Sequence, residues 1–297
     1  MGDELVSVVV PTYYRSQNLQ RALRSVWSQT YSPVEIIVVD DSGEAYAEET
    51  VDGDVQYVAL DENNGPSTAR NVGIDAADGS YVKFLDDDDW LGETAIEALV
   101  TTIESDPEAD VAYCGIQYPD RDVLPDTDSN GDVLKQALSF RPSTWRTSTL
   151  LVDADLDVWF DESFQGGEDI AYRIELACET RFTTVERPLL ESEHGGELGT
   201  SWGAVDDRWA ILEKYADLYD AQPVWVRKSA LADTYQHTGR RHLEDHVWSP
   251  RAIVAFAKAL YHHPNPDTAT KFEFLTSFGG RPLRDVAASV KDSSGYL

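Results

Sequence analysis

The stretch YVKFLDDDDW, residues 81–90, decides the fold that we predict for this chain. A short apolar segment runs directly into four consecutive aspartates, Asp86 to Asp89, and then into Trp90. In open α/β sheets, ligands bind at the edge formed by the carboxyl ends of the strands. Four adjacent carboxylates repel one another, and oxygen ligands suit Mg²⁺ or Mn²⁺. The stretch therefore predicts a divalent-cation site at a strand end, with a solvated acidic turn as the alternative.

The segments around this stretch predict a mostly parallel α/β sheet. Continuous apolar runs are typical of buried parallel strands, and apolar residues at helical spacing are typical of amphipathic helices. Predicted strands cover residues 5–10, 36–39, 55–60, 81–85, 111–114 and 149–152, and predicted helices cover 17–28, 66–77 and 96–103, with another from Glu168. Strands that alternate with helices in this way form α/β folds with helices on the faces of the sheet.

From Ala204 onward the apolar residues recur at helical spacing, and the last predicted stripe covers residues 283–290. Prolines punctuate these stripes, as expected at helix boundaries. We therefore expect two domains. Residues 1–203 form the α/β domain, and residues 204–297 form an α-helical C-terminal extension.

The chain is strongly acidic. It carries 24 Lys and Arg residues against 54 Asp and Glu residues, which gives a net charge of −30. Surfaces rich in acid and poor in lysine suit proteins from salt-adapted organisms, because salt screens their self-repulsion. The sequence shows no basic stripe that could neutralise phosphates, so nucleic acid is excluded as a partner. Anionic membrane surfaces are expected to repel the chain unless a partner or high salt intervenes.

The sequence predicts a cytoplasmic protein. No apolar run approaches the roughly 20 residues that span a bilayer, and the first residues, MGDEL, lack a signal sequence. Cys114 and Cys178 are isolated, so neither a disulfide framework nor a zinc spacing is visible. A peripheral position on the cytoplasmic face of the membrane stays open.

Two further acidic points follow predicted elements. Asp40 and Asp41 end the second strand, with a turn or helix cap as the structural alternative. Glu168 and Asp169 follow two glycines and open a helix, where the helix dipole alone would explain carboxylates. His194 lies in a glycine-flanked loop that could approach a ligand, although a merely exposed histidine is more common.

Two metal-like patterns are incomplete. DTDSNGD, residues 126–132, imitates an EF-hand loop, but Ala137 stands where the loop needs a bidentate Glu. His242 and His246 have zinc-capable spacing, but Leu243 stands where the metalloprotease pattern needs Glu. We expect an acidic surface loop and a surface helix at these two places.

Five segments in order resemble the family 2 nucleotide-sugar glycosyltransferases, which are inverting enzymes with a GT-A fold. They are VSVVVPTYYR (6–15), EIIVVDDS (35–42), NGPSTARN (64–71), FLDDDD (84–89) and GED (167–169). The resemblance covers about the first 195 residues. It implies a GT-A-type sheet and a donor that is a UDP-, GDP- or dTDP-sugar.

The resemblance also implies residue roles. A Mn²⁺ or Mg²⁺ ion would be held by Asp88, with Asp86 at the ribose or the metal and His194 as a further ligand. Asp169 would be the general base, with Glu168 as the second choice, and Asp41 would accept from the nucleotide base. The implied donor-binding residues are Pro11, Thr12, Tyr13, Arg15, Asp40, Asp41, Asn64, Gly65, Arg70, Asp86 and Asp87.

The implied reaction moves one sugar to a hydroxyl of a glycan, a lipid-linked glycan or a polyprenyl phosphate. The family's processive synthases carry Gln-x-x-Arg-Trp and membrane helices. Here Val205 stands where that glutamine should precede Arg208 and Trp209, so we expect single-sugar addition.

The alternatives are a non-catalytic nucleotide-sugar or metal-binding protein and a nucleotidyltransferase. A nucleotidyltransferase usually has a phosphate loop rich in glycine and basic residues after its first strand, whereas Pro-Thr-Tyr-Tyr-Arg follows Val10 here. The absence of G-x-G-x-x-G at the same place excludes a dehydrogenase.

We expect the melting temperature to rise with KCl concentration. The repulsion among surface carboxylates is screened over about 3 Å at 1 M salt and about 10 Å at 0.1 M. Thermal unfolding across a KCl series measures this, with sorbitol at matched osmolality as the control. A melting temperature that stays the same from low to molar KCl would show that the acidic surface is not an adaptation to salt.

Overall fold

The computed structural model describes residues 4–51, 53–126, 131–140, 145–193, 201–263, 268–280 and 282. The chain divides into two compact units. One comprises Met1–Ala137 with Pro142–Gly196, and the other comprises Leu138–Arg141 with Glu197–Leu297. We call them the sheet unit and the helical unit.

The described residues form nine strands and ten α-helices. The strands are β1 (Val6–Thr12), β2 (Val34–Asp40), β3 (Gln56–Ala59), β4 (Tyr81–Phe84), β5 (Asp89–Leu91), β6 (Ala109–Gln117), β7 (Asp122–Val123), β8 (Leu150–Asp153) and β9 (Arg181–Ser192). The helices are α1 (Ser16–Trp27), α2 (Pro66–Asp75), α3 (Ala95–Ser105), α4 (Leu134–Leu138), α5 (Glu168–Glu179), α6 (Trp202–Lys214), α7 (Ala216–Asp220), α8 (Val224–Asp245), α9 (Pro250–His262) and α10 (Thr268–Ser277).

All nine strands belong to one mixed sheet in the order β3-β2-β1-β4-β8-β6-β9-β5, and β7 pairs with β6. The first four are parallel, as are β6 and β9. Strand β8 is antiparallel to both of its neighbours, and β5 is antiparallel to β9. The six predicted strands are all present. Strands β5, β7 and β9 were not predicted.

The core lies between the sheet and its helices. Val8, Val9 and Val10 of β1 are fully buried, because a parallel strand is covered on both faces. Leu19 and Leu23 of helix α1 belong to the apolar cluster that also contains Val8 and Val10. Continuous apolar strands therefore stay in the interior, and the polar residues that follow them emerge at the strand ends.

The register brings three strand ends to one edge. Thr12 pairs with Asp40 across β1 and β2, and Val9 pairs with Phe84 across β1 and β4. Because these strands are parallel, the residues after each of them emerge at the carboxyl edge of the sheet. The turn that carries Asp86 to Asp88 lies at this edge.

The helical unit has its own buried polar centre. Arg208 is 2% exposed, and its Nε donates to Asp233 at 3.1 Å. The backbone carbonyl of Asp233 lies 3.0 Å from Nδ1 of His237. Burial alone would raise the pKa of Asp233, but His237 and Arg208 lower it to about 2. Arg208 is therefore part of the buried packing of this unit.

The predicted helical character after Ala204 is confirmed for α6 to α9. The predicted stripe over residues 283–290 lies outside the described residues, and α10 was not predicted. Within the described part of the chain, no helix is both long and apolar enough to cross a membrane.

We expect Gly73→Ala to destabilise the sheet unit by about 1–3 kcal/mol. A Cβ at this position of α2 would lie 2.1 Å from Cγ1 of Val9 in β1, so the helix would have to move off the sheet. Gly203→Ala in α6 is the matched control, because its nearest neighbour is a side-chain oxygen 3.7 Å away. Alanine usually favours a helix over glycine, so urea unfolding should show opposite signs for the two variants. Equal stabilisation by both would contradict this packing.

Candidate active site

Four elements of the sheet unit meet at the carboxyl edge of the sheet. They are the end of β1, the end of β2 with the loop to α2, the turn between β4 and β5, and the first turn of α5. Arg70 of α2 connects two of them: its Nη2 lies 2.7 Å from Asp86 in the turn, and its Nη1 lies 3.4 Å from Glu168 of α5. Its guanidinium also lies 5.3 Å from the ring of Phe160. One buried cation therefore holds the acidic turn and the acidic start of α5 together.

The four aspartates of the turn are in different environments. Burial alone would raise the pKa of Asp86, but Arg70 and Arg146 lower it below its usual range. Burial raises the pKa of Asp87 to about 6, against the opposing effects of Thr12 and Arg15. Asp86 is therefore ionised near neutral pH, and Asp87 protonates more readily than an ordinary carboxylate.

Asp87 is anchored by β1. The hydroxyl of Thr12 donates to it at 2.8 Å, and Nη1 of Arg15 lies 3.2 Å from its other oxygen. The same Arg15 nitrogen lies 3.0 Å from Asp88, and 55% of the Arg15 side chain is exposed. Thr12 and Asp87 thus position Arg15 over Asp88, and Arg15 is free to turn toward a bound anion.

Asp89 begins β5 and is 1% exposed. Neither of its carboxylate oxygens has a hydrogen-bond partner within bonding distance. Arg146, whose Nη1 lies 3.8 Å away, is its charged neighbour. Burial raises the pKa of Asp89, and the charge of Arg146 opposes this shift. A buried carboxylate without a hydrogen bond is costly, so this position calls for a cation.

Asp86, Asp88 and Asp89 each offer one oxygen, and these three atoms lie within 4.8 Å of one another. Ligands on opposite sides of an octahedral Mg²⁺ ion are about 4.2 Å apart. Small side-chain rotations would therefore bring the three oxygens around one ion, and the unpartnered oxygens of Asp89 fit such a ligand. Asp89 was not among the predicted site residues, although it ends the aspartate run that predicted the site. His194 lies outside the described residues.

Asp40 and Asp41 differ in what they bind. The carboxylate of Asp40 accepts from the backbone of Ser42 and Ala47 and from the hydroxyl of Tyr57 at 2.7–2.9 Å. These contacts match the structural alternative, in which Asp40 holds the turn after β2, and the donor-binding role of Asp40 stays a prediction.

The carboxylate of Asp41 accepts from the backbone N–H groups of Asn64 and Gly65, each at 2.8 Å. Asp41 therefore holds the loop before α2 against the end of β2. Gly65 has φ +88° at the N-cap of α2, a conformation that favours glycine. A carboxylate accepts about four hydrogen bonds, so Asp41 keeps acceptor capacity for a ligand.

Three tyrosines form an exposed aromatic group beside these carboxylates. The rings of Tyr13 and Tyr46 each lie 4.8 Å from that of Tyr14, and all three are 41–49% exposed. The hydroxyl of Tyr14 donates to the carbonyl of Ser42 at 3.2 Å, which ties the group to the loop after β2. Only Tyr13 was among the predicted site residues, although Tyr14 is its neighbour and Tyr46 lies four residues after EIIVVDDS (35–42). Exposed aromatic faces at this edge can stack on a planar ring.

The two carboxylates of α5 have different partners. Glu168 is directed to Arg70, and burial followed by the charge of Asp169 raises its pKa. The carboxylate of Asp169 lies 3.2 Å from Nη2 of Arg173, one turn further along the same helix. The Asp169 side chain is 26% exposed and that of Glu168 is 13% exposed. Asp169 is therefore the more open of the two to an incoming molecule.

The two incomplete metal patterns gain no support. Residues 127–130 of the acidic loop lie outside the described residues. His242 packs its ring 4.9 Å from that of Trp202. In the described ranges, the three-carboxylate group at the β4–β5 turn is the only cluster of three or more potential metal ligands.

Comparisons with known proteins agree with this arrangement. Residues 7–152 match the family model described as glycosyl transferase family 2. Over 122 residues the chain is 39% identical to the Haloferax volcanii glucosyl-dolichyl phosphate glucuronosyltransferase, with 39% of each chain covered. Over 103 residues it is 37% identical to the Campylobacter jejuni GalNAc(5)-diNAcBac-PP-undecaprenol beta-1,3-glucosyltransferase, covering 32% of this chain and 33% of that protein. The matched regions thus span well under two thirds of these relatives.

Solved structures share the fold. A fragment of S. aureus TarS superimposes with a TM-score of 0.63 at 18% identity, covering 87% of this chain and 81% of that one. The Pyrobaculum calidifontis mannosyltransferase PcManGT, in complex with GDP-Man and Mn²⁺, gives 0.55 at 18% identity, covering 100% and 89%. At such identities the likeness establishes the fold alone. It confirms the predicted α/β class, with a fold similar to that of GT-A glycosyltransferases. The match to the family model covers just under half of the chain.

We expect Asp89→Asn to lower the affinity for Mn²⁺ by about tenfold or more. The substitution removes one charged oxygen ligand from the three-carboxylate group. Asp87→Asn is the matched control, since Asp87 belongs to the same turn but contacts Thr12 and Arg15 and lies outside the group. Calorimetric titration of metal-stripped protein measures both. Equal Mn²⁺ affinities in the two variants would remove Asp89 from the metal site.

Proposed function

We propose that this chain, whose residues 7–152 match the model of glycosyl transferase family 2, moves one sugar from a nucleoside diphosphate sugar to an acceptor hydroxyl with inversion. The observation that carries this proposal is the bridge made by Arg70 between Asp86 and Glu168. It brings a cation-binding turn and two candidate basic carboxylates into one site. The proposed transfer uses both, one on each side of the sugar.

The donor diphosphate belongs at the β4–β5 turn. Asp88 and Asp89, with Asp86, would hold a Mn²⁺ or Mg²⁺ ion. When bound, that ion would act as a Lewis acid that neutralises charge on the departing diphosphate. Arg15 is half-exposed and its side chain is bonded to the carboxylates of Asp87 and Asp88. It can turn to a phosphate oxygen once the ion takes Asp88 as a ligand. Arg70 keeps Asp86 ionised and fixed.

The nucleoside belongs at the ends of β1 and β2. Asp41 retains acceptor capacity for a base N–H, and its bonds to Asn64 and Gly65 fix its orientation. Tyr13 offers an exposed ring beside it. Pro11 and Thr12 supply the backbone of this pocket at the end of β1. Thr12 acts on the donor indirectly, because its hydroxyl is bonded to Asp87.

The acceptor belongs at the start of α5. Asp169 would take the proton of the acceptor hydroxyl as that oxygen attacks the anomeric carbon on the face opposite the diphosphate. The carbon–oxygen bond to the diphosphate breaks in the same displacement, so an α-linked donor gives a β-linked product. Arg173 holds the Asp169 carboxylate in place at 3.2 Å. Glu168 is bonded to Arg70 and is the second choice for the base.

The names and ligands of the similar proteins support particular donor and acceptor classes for this chain. TarS has been crystallised with UDP-GlcNAc and PcManGT with GDP-Man, so we propose a UDP- or GDP-sugar before a dTDP-sugar. Two relatives are named for dolichyl phosphate and undecaprenol substrates. A sugar attached to a polyprenyl phosphate or diphosphate is therefore the acceptor class that we propose to test first, with free glycans second.

A non-catalytic nucleotide-sugar binder is the second candidate. Such a protein would keep the metal turn but would not need the exposed carboxylate at Asp169. A thermal-shift panel of UDP-, GDP- and dTDP-sugars with Mn²⁺ identifies the donor. A donor at a hundred times its dissociation constant should add about 2.7 kcal/mol of stability. A shift without turnover on any acceptor class would favour the binder.

We expect Asp169→Asn to lower turnover by about 10²–10⁴-fold while donor affinity stays near that of the unmodified protein. The base acts only in the transfer step, and the metal and nucleoside contacts lie on other loops. If Asp169 served only the helix dipole, the change would cost about 0.3–1 kcal/mol of stability and little activity. Donor affinity by calorimetry and turnover by nucleotide release separate these outcomes.

Glu168→Gln is the matched control, one residue away on the same helical turn. A loss of turnover in Glu168→Gln together with normal turnover in Asp169→Asn would reverse the two assignments. Normal turnover in both variants would leave the site without a base among these two residues.

A further inference from the structure

The negative charge of this chain stops near the boundary of the helical unit. Residues 1–196 carry 41 acidic and 12 basic side chains, whereas residues 197–297 carry 13 acidic and 12 basic ones. The net charge of −30 therefore divides into −29 and −1. Repulsion from anionic surfaces, which the total charge predicts, applies to the sheet unit and not to the helical unit.

Helix α9 concentrates this difference. Pro250–His262 contains no acidic residue. Its buried side, Ala252, Phe256 and Ala259, packs into the helical unit. The opposite side carries Arg251, Val254, Lys258 and Tyr261, which fall within an arc of about 80° at 100° per residue. Val254 is 54% exposed and Tyr261 is 78% exposed. The outward side of α9 therefore combines basic, aliphatic and aromatic side chains and carries no acid.

Helix α10 has an outward side of the same kind. Lys271, Phe272 and Leu275 are exposed on it, and Leu275 is 64% exposed. Its acidic residue, Glu273, is bonded to Gln236 at 2.6 Å and to Arg240 at 2.7 Å on α8. Glu273 is therefore neutralised by Arg240 within the helical unit. The exposed side of α10 carries its basic and apolar residues.

The two outward sides are joined by a tryptophan. Nε1 of Trp248, in the turn before α9, donates to the carbonyl of Phe278, just after α10, at 3.1 Å. Trp248 is 54% exposed, Phe278 is 55% exposed, and Val247 beside them is 67% exposed. Tryptophan and tyrosine favour the boundary between hydrocarbon and polar head groups. This hydrogen bond places the exposed apolar residues before α9 next to the exposed end of α10.

We propose that this surface docks the protein on an anionic lipid surface. The α9–α10 face is defined by Val254, Lys258 and Tyr261 of α9, Lys271 and Leu275 of α10, and Phe278. Lipid head groups of negative charge complement its lysines, and the acyl boundary takes its apolar and aromatic side chains.

A second copy of the chain fits this face less well. In a two-fold interface the same patch meets itself, which brings Arg251, Lys258 and Lys271 toward their own counterparts. Like charges set against each other in an interface are unfavourable. An anionic lipid surface satisfies both the charge and the apolar area of the face. This inference does not depend on the transfer reaction proposed above.

The test is co-flotation of the full chain with vesicles, at the lowest KCl concentration at which the protein stays folded. We expect binding to vesicles of phosphatidylglycerol and phosphatidylcholine and about tenfold less binding to phosphatidylcholine alone. Val254→Glu/Tyr261→Glu should reduce binding to the anionic vesicles by about tenfold or more. Both positions are exposed, so circular dichroism should show an intact fold.

Trp27→Glu/Leu124→Glu is the matched control. It changes the charge equally at two exposed apolar positions of the sheet unit, 48% and 46% exposed, and should bind like the unmodified chain. Equal loss in both double variants would attribute binding to total charge and overturn the proposal. So would absence of binding to anionic vesicles. Light scattering that instead shows a dimer of the unmodified chain, which Val254→Glu/Tyr261→Glu dissociates and the control variant does not, would also overturn the proposal. That result would assign the face to a second copy of the chain.

Discussion

Repulsion among four consecutive carboxylates at the end of β4 is the constraint on which this site depends. Three arginines from different parts of the sheet unit compensate this repulsion. Arg70 pairs with Asp86, and Arg15 pairs with Asp87 and Asp88. Arg146 lies near Asp89. The compensation is uneven, since Asp89 is buried without a hydrogen bond to either oxygen and Arg146 lies 3.8 Å away. The remaining negative charge favours the binding of one more cation. The metal-assisted sugar transfer that we propose depends on such a cation.

The same compensation couples the two halves of the proposed reaction. Arg70 cannot neutralise Asp86 without also approaching Glu168, because its guanidinium is buried between them. The position of α5, and with it Asp169, is therefore tied to the turn that carries Asp86. Transfer with inversion needs a leaving group and a base on opposite sides of one carbon. A single buried arginine links the two groups that would provide them.

The sequence predicted the elements that are marked by continuous apolar runs and by carboxylates at strand ends. Strands β1, β2 and β4 and the acidic turn were found, since buried parallel strands carry an unbroken apolar signal. Strand β9 was missed because charged residues and Pro188 interrupt its pattern. Asp40 and Asp41 look alike in sequence, and only their contacts separate a loop-building carboxylate from one with spare acceptor capacity. The α9–α10 face was missed because the net charge of −30 describes the whole chain and does not show that residues 197–297 are nearly neutral.

The most direct test is anomalous diffraction from crystals of the full chain grown with Mn²⁺ and UDP. The account predicts one strong anomalous peak at coordination distance from Asp88 and Asp89, beside Asp86, with Arg15 turned from these carboxylates toward the diphosphate. A bound UDP with no manganese at the β4–β5 turn would contradict it. Manganese held elsewhere in the sheet unit, with Asp89 still unpartnered, would contradict it as well.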